Sequence, residues 1–171
     1  NGYGGSLIYA YEHDGRGAND WYNYRVKTVN VSSGVATAGI RGYSYATPVY
    51  AGPNNTGALV GYTNVTETTY DFDGSTKLLD VVHEFGTAGL DIGYELSAIS
   101  KDGSGTELQK TTSTYVTDNS QAPFWGWNYH YLYRTQNYIR SGGALILASQ
   151  TITIHDPSTG NPAQKQEYMG A

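Results

Sequence analysis

An all-β domain with little or no helix is the fold class this sequence predicts, and three observations predict it. Short runs of alternating apolar and polar residues recur along the chain, each bounded by Gly, Pro, Asn or Asp. Gly, Thr, Val and Tyr break up every window in which apolar residues could repeat at helical spacing. Tyr (17 residues) and Gly (22) are abundant, whereas charged residues supply only 15%, against about 25% in an average soluble domain. About nine or ten such runs joined by short links describe a single-domain β-sandwich or a closed β-barrel.

The elements follow in order. Residues 1–5, Asn-Gly-Tyr-Gly-Gly, read as a flexible leader. Ser6–His13 is a strand with Leu7, Tyr9 and Tyr11 on one face. Trp21–Val31 is a longer one, with Tyr22, Tyr24 and Val26 sharing a face. Val35–Tyr50 reads as two short strands, or one bent at Gly39 and Gly42. Residues 53–57, Pro-Asn-Asn-Thr-Gly, form a turn, because Asn and Gly tolerate positive φ. Ala58–Tyr70 returns, Asp73-Gly74 turns again, and Thr76–Phe85 follows. Leu90–Ser100, Glu107–Thr117, Trp125–Ile139 and Ala144–His155 complete the set. Asp102-Gly103-Ser104-Gly105 and Ser141-Gly142-Gly143 read as tight hairpin turns. The β domain thus spans residues 6–156, and residues 157–171 form a polar C-terminal arm containing Pro162.

Composition narrows the function classes. A chain of 171 residues is long enough to fold without staples. Having no cysteine, it can carry no disulfide, thiolate zinc site or iron–sulfur cluster. The net charge is −5 and the ten basic residues are scattered, so no nucleic-acid partner is expected. The longest apolar run, Ala144–Ala148, is far short of a transmembrane helix. Few charges with many hydroxyls and aromatics is the composition of exported β-proteins, which points to an extracellular or cell-surface location. The opening at Asn1 fits a chain from which a leader has been removed. Asn30, Asn54 and Asn64 head N-x-Ser/Thr sequons and are candidate glycosylation sites.

Trp125, Trp127, Tyr129, Tyr131 and Tyr133 alternate at period two and so fall on one face of one strand. That face either fills a core or offers a platform for carbohydrate or another flat ligand. Three histidines precede a carboxylate, in His13-Asp14, His83-Glu84 and His155-Asp156. Neighbours on a strand point to opposite faces, so each would need its partner from another strand. Asp71-Phe72-Asp73-Gly74-Ser75 has oxygen side chains at alternate positions but lacks the EF-hand glycine and glutamate spacing, and reads as an Asp-Gly turn. No catalytic residue, cofactor or metal site is expected. Tyr45–Tyr50 through Gly57–Tyr62 bears a faint similarity to a hairpin of allene-oxide-cyclase and dirigent-type barrels. It covers a short part of the chain and carries over no catalytic residue.

These readings lead to the expectation of a self-assembling or adhesive structural protein whose partners are copies of itself. Leu7, Tyr9 and Tyr11 belong to the strand that would join them. The alternatives are a β-barrel enzyme or small-ligand carrier with an aromatic-lined pocket, and a carbohydrate-binding module using Trp125 and Trp127.

Overall fold

A computed structural model describes residues 4–13, 24–32, 34, 37–51, 58–118, 129–156 and 158–170. The chain is all-β, 75% strand and 2% helical. Its strands are β1 (Ser6–His13), β2 (Tyr24–Ser32), β3 (Thr37–Tyr45), β4 (Pro48–Tyr50), β5 (Leu59–Tyr62) and β6 (Asn64–Tyr70). They continue with β7 (Lys77–Phe85), β8 (Glu95–Asp102), β9 (Glu107–Asp118), β10 (Tyr129–Ser141), β11 (Ala144–His155) and β12 (Pro162–Met169). A 3-10 turn, Gly89–Asp91, precedes β8.

Ten strands form one antiparallel sheet in the order β1-β2-β3-β6-β7-β8-β9-β10-β11-β12, and β4 and β5 pair separately as a hairpin. The sheet is not closed into a barrel. The region expected as one return strand, Ala58–Tyr70, is instead split by Thr63 into β5 and β6. Thr63 donates its N–H to the Thr47 carbonyl, and Ala46 donates to Asn64, so the hairpin's base is tied down where the chain leaves the large sheet. Part of the polar C-terminal segment is a strand: β12 pairs with β11 from Ser149↔Met169 to His155↔Pro162.

The chain gathers into two compact units, residues 1–82 with 100–106 and residues 83–99 with 107–171. In the first, β1, β2, β3 and β6 form a continuous ladder, with the salt bridge Arg41–Glu67 (3.0 Å) crossing from β3 to β6. Two of its turns are closed by aspartates. Asp73 accepts the N–H groups of Ser75 and Thr76 and the Thr76 hydroxyl, so the Asp-Gly motif is a turn. Asp102 does the same for Ser104 and Thr106. These bonds hold both carboxyls below their ordinary range, the Thr76 hydroxyl being the main cause for Asp73 and the Ser104 hydroxyl for Asp102.

In the second unit, β9, β10, β11 and β12 form the ladder. Cross-strand amides knit its interior strands: Asn137 accepts from Thr111 and donates to Ser149, and Gln136 donates to Gln150. Among the described residues no hydrophobic side chain is buried, and Ser97 is the buried polar one.

Candidate functional site

The edge strand β1 is built from residues that ordinarily seek cover. Leu7 lies opposite Val31, Tyr9 opposite Val29 and Tyr11 opposite Val26. A bulge on β2 absorbs Lys27, so that Val26 rather than a lysine meets Tyr11. An apolar ladder results on one face, with Tyr9 and Tyr11 stacked at 6.4 Å. Leu7 is 58% and Tyr11 61% exposed, because among the described residues β1 pairs with β2 alone. The opposite face carries Ser6, Ile8, Ala10 and Glu12.

Glu12 is held by the protein itself. Arg25 Nε donates to Glu12 Oε1 at 2.9 Å, and Lys27 Nζ lies 3.9 Å from Oε2. The Arg25 guanidinium also sits over the rings of Tyr45 (4.6 Å) and Tyr62 (5.1 Å), while the Tyr45 hydroxyl donates to the Val26 carbonyl. The carboxylate of β1 is thereby turned back onto β2 and its aromatic neighbours. Beside the start of the strand, Gly5, Ser6, Leu7, Val31 and Ser32 line a shallow open depression of about 330 Å³.

The other outer strand is dressed differently. Pro162 at the head of β12 has no N–H to offer, and Lys165 pairs with Glu167 at 2.6 Å along the strand. Proline and lysine are the residues with which natural sheets keep an edge from pairing. β1 has neither.

The aromatic strand is seen in part. Trp125 and Trp127 lie outside the described residues. Tyr129 opens β10, and Tyr131 and Tyr133 follow half-buried. Leu132 aligns with Tyr115 of β9 and Arg134 with Thr114, so Tyr133 is an extra residue that interrupts the expected alternation. Tyr131 packs edge-on against His155 at 3.9 Å.

His130 sits in a largely enclosed polar cluster. Its Nδ1 is 2.9 Å from the Thr117 hydroxyl, and its Nε2 is 3.0 Å from Asp91 Oδ1, off the line of a good hydrogen bond. The rings of Tyr94 and Tyr115 flank it at 5.2 and 5.7 Å, and burial pushes the Tyr115 phenol up. This arrangement fastens the 3-10 turn to β9 and β10. Among the described residues no three His, Asp or Glu side chains converge to hold a metal ion.

Among the histidine–carboxylate neighbours, Asp14 lies outside the described residues, and the other two pairs part company as strand geometry requires. His83 Nδ1 meets Glu95 Oε2 at 2.9 Å, whereas Glu84 accepts from the Ser97 hydroxyl at 2.6 Å. Asp156 turns to Ser158. Of the sequon asparagines, Asn30 is half-buried in β2 between Ile8 and Ile40, and Asn64 is half-buried at the head of β6. Asn54 lies outside the described residues. Sequence reasoning missed the Glu12–Arg25–Tyr45–Tyr62 and Asp91–Thr117–His130 groupings. Their members come from different strands and turns, and no local spacing announces them.

Compared with protein-family models, curated proteins and solved structures, the chain matches none.

Proposed function

We propose that this chain is a self-associating structural protein of the extracellular space or cell surface, whose copies join through sheet edges. One observation carries the reading: among the described residues no hydrophobic side chain is buried, while Leu7, Ile8, Tyr9 and Tyr11 stand exposed on an outer strand. The low share of charged residues supports an exported setting.

Sedimentation velocity of the untagged protein over a wide concentration range tests the proposal. Species well above 18.5 kDa that grow with concentration are the expected result. A single monomeric species throughout would overturn it.

A further inference from the structure

The β1 strand is complementary to itself, and from this we infer that two copies join by antiparallel β1–β1 pairing about a two-fold axis at Tyr9. This inference rests on the self-association proposed above and fixes its geometry. An antiparallel strand pair centred on Tyr9 sets Leu7 against Tyr11 of the second copy, Ile8 against Ala10, and Ser6 against Glu12. The apolar set meets apolar residues. The one acidic position falls opposite Ser6 rather than an apolar residue, and its carboxylate is already satisfied by Arg25.

Other registers do worse. Moving the centre by one residue sets Ile8 against Glu12, or leaves Glu12 facing the glycine leader. Moving it by half a residue sets Leu7 against Glu12 and joins the apolar face of one copy to the polar face of the other, because side chains alternate strictly. With the axis at Tyr9 the ladders Leu7–Tyr9–Tyr11 of both copies lie on the same side of a shared sheet, continuous with Val26, Val29 and Val31 of each.

Electrostatics agree. The two Glu12 carboxylates would stand about 20 Å apart, well beyond the screening length at physiological salt, and each already has Arg25 beside it. The open backbone groups of β1 supply the joint, and Tyr9, at the centre, stacks on its own equivalent. The pairing is isologous, so it closes on itself as a dimer.

The chain has no cysteine, so a single engineered thiol reports one contact. Tyr9→Cys under mild oxidation should convert most of the protein to a disulfide-linked dimer, since directly opposed residues sit within disulfide reach. Leu7→Cys alone should not cross-link, its equivalent lying about 13 Å along the partner strand, but Leu7→Cys mixed with Tyr11→Cys should. Ile8→Cys mixed with Ala10→Cys repeats the test on the other face should Tyr9→Cys fail to fold. Cross-linking of Tyr9→Cys with Lys165→Cys in preference to itself would overturn the inference in favour of a head-to-tail β1–β12 joint. Association in the centrifuge without any of the predicted cross-links would also overturn it while leaving self-association standing. A protein that is monomeric throughout would remove both.

Discussion

Asp80 shows how a single polar side chain ties neighbouring strands together. It lies on β7, where Thr68 donates to Oδ1 at 2.7 Å and Lys77 Nζ to Oδ2 at 2.6 Å. Burial would raise its carboxyl, but the bonds from Lys77 and Thr68 and the nearby positive charges outweigh that and hold it below the ordinary range. As pH falls, the unfolded chain therefore takes up its proton first. The stabilisation is complete above about pH 4 and is lost as pH drops through the lower folded value. Asp80→Asn should lower stability at neutral pH by about 1 kcal/mol, kept small because Lys77 is well solvated. It should also flatten the acid limb of a plot of urea midpoint against pH. Parallel acid limbs for the two proteins would show that the dependence arises elsewhere. At this scale the sequence was legible wherever geometry is local. Adjacent His83 and Glu84 could be assigned to opposite faces from strand alternation alone, and the structure gives them separate partners, Glu95 and Ser97. The Asp91 approach to His130 was not legible, because it depends on where a 3-10 turn and β10 meet.

Elements read well where a turn residue or an alternating apolar face marks them. The loop between β10 and β11 is Gly142-Gly143 with φ of 58° and 90°, the two left-handed residues of a type I′ hairpin. Gly142→Val should cost about 1–2 kcal/mol, because a branched side chain is driven into the left-handed region. Gly142→Asn should leave the melting temperature unchanged or raise it, since asparagine tolerates that region and restricts the unfolded chain. Equal melting temperatures for the two variants would contradict the turn assignment. The sequence of β12 reads as a polar arm for a physical reason: Ala-Gln-Lys-Gln-Glu has no apolar face to alternate, and an outer strand exposed on both sides requires none. The split of residues 58–70 is not legible in the sequence because Thr63 is itself a good strand former, and only the bonds at the hairpin base reveal the break. A period-two count cannot register the bulge at Tyr133.

At the scale of the molecule, all-β character was legible from composition and pattern, but sheet closure was not. Whether a run of antiparallel strands closes depends on stagger and twist between neighbours, which alternation does not encode. One consequence of the strand order concerns how the sheet comes apart. Apart from the β4–β5 excursion, every strand of the large sheet pairs with its neighbours in the chain. Each ladder therefore closes over a short loop and has little entropy to recover before the next can form. Such a sheet behaves as a one-dimensional array, in which an outer strand can peel away while the remaining ladders persist. Amide hydrogen exchange should accordingly show least protection in β1 and β12 and more in the strands between them, rather than one common opening energy for all. Raising the protein concentration should then slow exchange in β1 but not in β12, turning a symmetric pattern of fraying into a one-ended one.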